Sequence, residues 1–97
     1  MRMAFKKNDI IRVPCEAQPG PFDDAAVTIK TANGLVSGFV KKDFVEERDG
    51  KTFIPAKVVK LENDLVEIQL PGSFFTSARG FATLQRAWAD SNVEQAS

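Results

Sequence analysis

The chain reads as all-β: a small bent β-barrel or roll of five to seven antiparallel strands in consecutive hairpins, with one short helical turn near the C-terminus. Three observations predict it. Apolar and polar residues alternate in short runs, as in VTIKT and VEIQL. Turn-forming dipeptides recur between those runs, at Asn33-Gly34, Asp49-Gly50 and Asn63-Asp64. No stretch keeps apolar residues three and four apart for several helical turns.

The central element is residues 56–71, AKVVKLENDLVEIQLP, read as two strands folded back at Asn63-Asp64. That turn sets Leu61 against Val66, Val59 against Ile68 and Lys57 against Leu70 on one face, because strand side chains alternate with period two. On the other face Lys60 meets Glu67, an opposite-charge pair that favours the same register.

Taken in order, Phe5 is the apolar anchor of an N-terminal segment that frays or lies at an edge. Residues 10–15, IIRVPC, form the first strand, and Pro14 places its end at a sheet edge or bulge because proline cannot donate to a ladder. Residues 16–24, EAQPGPFDD, read as a loop punctuated by Pro19-Gly20-Pro21. Around Asn33-Gly34 a type I′ hairpin sets Thr31 against Val36, Ile29 against Gly38 and Val27 against Val40. Asp49-Gly50 makes another hairpin, with Glu47 facing Thr52 and Val45 facing Ile54 before Pro55 interrupts the strand. Residues 71–77 form a loop carrying Phe74-Phe75, residues 79–84 a last strand, and QRAWAD a short helical turn with Trp88 packed down. The expected organisation is one barrel domain over residues 1–90 and a flexible polar tail over 91–97.

Composition narrows the function. Thirteen basic and thirteen acidic residues cancel, which argues against a dedicated nucleic-acid or membrane-surface binder and permits self-association. The chain has no histidine and one cysteine, Cys15, so the commonest general base, the Ser–His and Cys–His pairs and an intrachain structural zinc site all fall away. Neither a membrane-length apolar run nor the apolar core of a secretory signal is present, and the single cysteine suits a reducing compartment, so the expected location is cytoplasmic. No cofactor and no metal are expected.

Residues 27–45, VTIKTANGLVSGFVKKDFV, resemble the latter half of bacterial Src-homology-three domains. The matching positions are Asn33-Gly34, Gly38-Phe39-Val40 and Phe44, in the order strand, turn, Gly-aromatic-Val strand and short helical turn. The resemblance covers about a fifth of the chain and implies a small, strongly bent β-barrel.

Candidate sites follow from residues that a core does not explain. Phe39, Phe44 and Trp88 are expected mainly in the core, since eight Phe and one Trp supply its aromatic volume. Phe22, Phe74 and Phe75 sit on loops, and of two adjacent Phe residues on an extended chain one must face solvent or a partner. Lys41 and Lys42, beside aromatic rings, could contact nucleic acid, although Asp43, Glu46 and Glu47 dilute the positive field. Asp23 and Asp24 are the only hint of carboxylate chemistry, and Cys15 reads as a small apolar residue.

The expected function is a non-catalytic binding or assembly module that meets a protein partner or a second copy, a homodimer through Phe74 or Phe75 being the special case. A weak nucleic-acid-binding barrel using Lys41 and Lys42 is the alternative, and a small hydrolase using Asp23 or Asp24 ranks last.

Overall fold

A computed structural model describes residues 5–71, 73–74 and 80–95, with the side chains of 73 and 74 excepted. The fold is all-β, in antiparallel sheets with one short α-helix. The described strands are β1 (Ile10–Pro14), β2 (Glu16–Pro19), β3 (Asp24–Thr31), β4 (Gly34–Lys41), β5 (Glu46–Arg48), β6 (Lys51–Leu61), β7 (Leu65–Gln69), β8 (Ser73–Phe74), β9 (Phe81–Gln85) and β10 (Glu94–Gln95). A 3₁₀ turn, Lys42–Phe44, follows β4, and helix α1 spans Arg86–Asn92.

These ten short strands exceed the five to seven expected, and they form two sheets. The larger runs β10-β1-β6-β7-β9, with β5 also paired to β6; the smaller runs β2-β3-β4-β8. Only part of the pairing is by consecutive hairpin. The β1–β6 and β1–β10 ladders join segments far apart in sequence, a relation local turn signals do not carry. Chain continuity links the sheets: β1 passes through Cys15 into β2 and so leaves the larger sheet for the smaller.

One apolar core lies between the sheets. Ile11, Val13, Ile54, Ala56, Val58, Val66, Ile68 and Leu84 come from the larger sheet, and Ala25, Val27, Ile29 and Val40 from the smaller. Phe5, the apolar anchor of the N-terminal segment, joins this cluster. Helix α1 closes one end by burying Ala89, with Trp88 packed partly against the core. It is tied to the β6–β7 turn by Arg86, whose backbone N donates to Asp64 O and whose Nη1 donates to Glu62 O.

The central hairpin forms as expected near its turn and then departs. Leu61 faces Val66 and Lys60 faces Glu67, but a bulge at Val59 shifts the ladder so that Val58 faces Ile68 and Lys57 faces Gln69. One extra residue reverses which neighbour points inward. Val58 is therefore fully buried and Val59 only half-buried, and both Ile54 and Leu61 can address the same core.

The second hairpin has the expected faces and a register displaced by two. Thr31 pairs with Gly34, Ile29 with Val36 and Val27 with Gly38. Asn33 lacks the positive φ that a type I′ turn demands, and Gly34 takes φ +111° at the start of the strand. Thr31 sets this geometry: its Oγ1 accepts from Asn33 N at 3.1 Å and donates to Gly34 O at 2.7 Å. At Asp49-Gly50 both residues have positive φ, 52° and 78°, as a type I′ turn requires, and the expected pairing of Glu47 with Thr52 forms.

Three further expectations are corrected. Pro55 does not interrupt its strand; β6 runs unbroken through eleven residues. Thr52 O and the N–H and C=O of Val58 face β1, so alternation turns Phe53, Pro55 and Lys57 toward the opposite edge. On that edge Glu46 pairs with Phe53 and Gln69 with Lys57, leaving Pro55 between the two ladders, where a missing N–H breaks no bond. Residues 16–24 are not all loop, because Glu16–Pro19 pair with β3. Nor is the segment after Asp90 all loose: Val93 is buried, and Glu94 and Gln95 pair with β1.

Candidate binding surface

The short loop between β2 and β3 is built to hold one aromatic ring in solvent. Gly20 N donates to Asp24 O at 3.0 Å, and Phe22 N donates to Asp24 Oδ1 at 3.3 Å. A Cβ on Gly20 would fall 2.2 Å from that same Oδ1, so only glycine allows the carboxylate to reach under the loop. Lys42 N, from the 3₁₀ turn, donates to Asp23 O and ties the loop from a second side. With its backbone held in this way, Phe22 is 85% exposed, the most exposed of the large apolar side chains described.

The pairing of the smaller sheet gathers the other candidates at the same end. Asp24 opposes Lys41, so Lys41 and Lys42 lie beside the Phe22 loop, both exposed. Ser73 and Phe74 pair with Phe39 and Gly38 on the far edge of β4, which brings the start of the 71–77 loop to this region. Phe74 is placed through its backbone alone, and Phe75 lies outside the described residues, so the expectation that one of them faces a partner lies there too.

Phe44 corrects the expectation that it belongs to the core. The 3₁₀ turn buries none of its residues, and Phe44 is exposed while the next residue, Val45, packs against the core. Phe39 is half-buried. Phe22 and Phe44 therefore flank Lys41 and Lys42 in sequence and topology, among the exposed acids Asp23 and Asp43. The local charge is mixed. Asp24 is engaged as the brace of the loop, which accounts for one of the two carboxylates singled out from the sequence.

Exposed apolar residues that the sequence reading passed over are Leu35 and Ile10; Phe81, one of the aromatic rings weighed for nucleic-acid contact, is exposed as well. Alternation was a signal for the first: Val36, Gly38 and Val40 turn inward, so Leu35 must turn out. Leu35 borders a cleft of about 260 Å³ with Pro14, Cys15, Glu16, Thr28 and Lys30. Burial pushes the Cys15 thiol up from an ordinary 9.0 to about 11, which makes it a poor nucleophile. A shallow, open and mostly apolar patch of surface lies among Ile10, Pro55, Lys57, Gln69, Leu70 and Pro71.

Among the described residues no helix is long and apolar enough to cross a membrane, and no three of His, Cys, Asp and Glu gather to hold a metal ion. No family model, curated protein or solved structure matches the chain.

Proposed function

We propose that this protein is a non-catalytic binding or assembly module whose anchor is Phe22. The observation that carries the reading is a phenylalanine left 85% exposed on a loop whose backbone is held by Asp24 and by the 3₁₀ turn. Leaving an aromatic ring in water forgoes the stabilisation its burial would give, and a loop whose backbone is already held has less entropy to lose when a partner covers the ring. Aromatic side chains in such positions are the usual anchors of protein interfaces.

The Src-homology-three resemblance of residues 27–45 agrees with a small binding barrel, and the absence of histidine from the chain agrees with a non-catalytic role. The mixed charge around Lys41 and Lys42 favours a protein partner over a nucleic acid, whose backbone calls for a concentrated positive face.

Affinity capture from source cells with wild type and Phe22→Ala tests the proposal. A protein retained by wild type and lost with Phe22→Ala, at unchanged thermal stability, supports it; equal retention by both contradicts it.

A further inference from the structure

We draw no further inference here: the strongest candidate, the polar cleft between helix α1 and the β6–β7 turn lined by Asn63, Asp64, Gln85, Arg86 and Asp90, carries none, because its lining is mostly exposed side chains and Asp90 Oδ1, a buried oxygen without a hydrogen-bond partner, is closed to solvent, so nothing in the structure shows what would fill it.

Discussion

Arg12 and Glu46 lie on strands that flank β6 from opposite sides, yet Arg12 Nε donates to Glu46 Oε2 at 2.7 Å. The arginine reaches across β6 to do so, and its Nη1 donates to Gln95 O at 2.9 Å on β10. One guanidinium thus joins β5, β1 and β10. The two partners differ in surroundings, with side-chain exposures of 17% for Arg12 and 49% for Glu46.

Arg12→Ala is therefore expected to cost more than Glu46→Ala. Arginine loses two charge-assisted or polar contacts and the packing of its stem, about 1–2 kcal/mol. Glutamate loses one half-exposed ion pair, under about 1 kcal/mol. Urea denaturation of the two variants gives the order, and equal losses would show that the bond to Gln95 contributes nothing.

The Val59 bulge predicts unequal neighbours. Val58→Ala empties part of the core and is expected to cost roughly 2 kcal/mol, while Val59→Ala costs less than about 1 kcal/mol. Denaturant midpoints distinguish them. The reverse order would restore the unbulged register and refute the ladder described here.

That bulge also marks how far the sequence could be read. The faces of the 24–41 hairpin, the inward face of β7 and the Asp49-Gly50 turn were legible, because alternation and turn dipeptides are local. Val59 was not, since either valine satisfies the alternation and the ladder shifts between Val58 and Lys60. Pro55 misled for a related reason: its missing N–H is harmless only because β5 and β7 pair on either side of it, a fact of tertiary arrangement. The exposure of Phe22 was legible from its Pro-Gly-Pro loop. Its brace was not, because it depends on the rotamer of Asp24.

Gly20→Ala tests that brace. The new methyl displaces the Asp24 carboxylate and frees the Phe22 amide. Amide hydrogen exchange at Phe22 should accelerate, while Val27 and Ile29 in the core of β3 keep their protection. Unchanged exchange at Phe22 would mean that Asp24 does not hold the loop.

Cys15 gives a pH-dependent prediction. Its folded thiol keeps its proton to about 11, against 9.0 for an ordinary thiol. The folded state therefore holds the proton that the unfolded state releases first. Stability is intact below pH 9 and declines as pH rises from 9 toward 11. Wild type should lose more stability over that interval than Cys15→Ala. At pH 8 iodoacetamide should alkylate native Cys15 on the order of a hundredfold more slowly than a free thiol, from its smaller thiolate fraction. Alkylation at the free-thiol rate would contradict the burial of Cys15.

Phe22 differs from the other exposed apolar residues if it anchors a partner. Leu35, 71% exposed on β4, supplies the comparison. Affinity capture run in parallel with Phe22→Ala and Leu35→Ala measures the difference most directly. Loss of the bound partner with Phe22→Ala and full retention with Leu35→Ala is the predicted result; equal loss, or loss with Leu35→Ala alone, would contradict it.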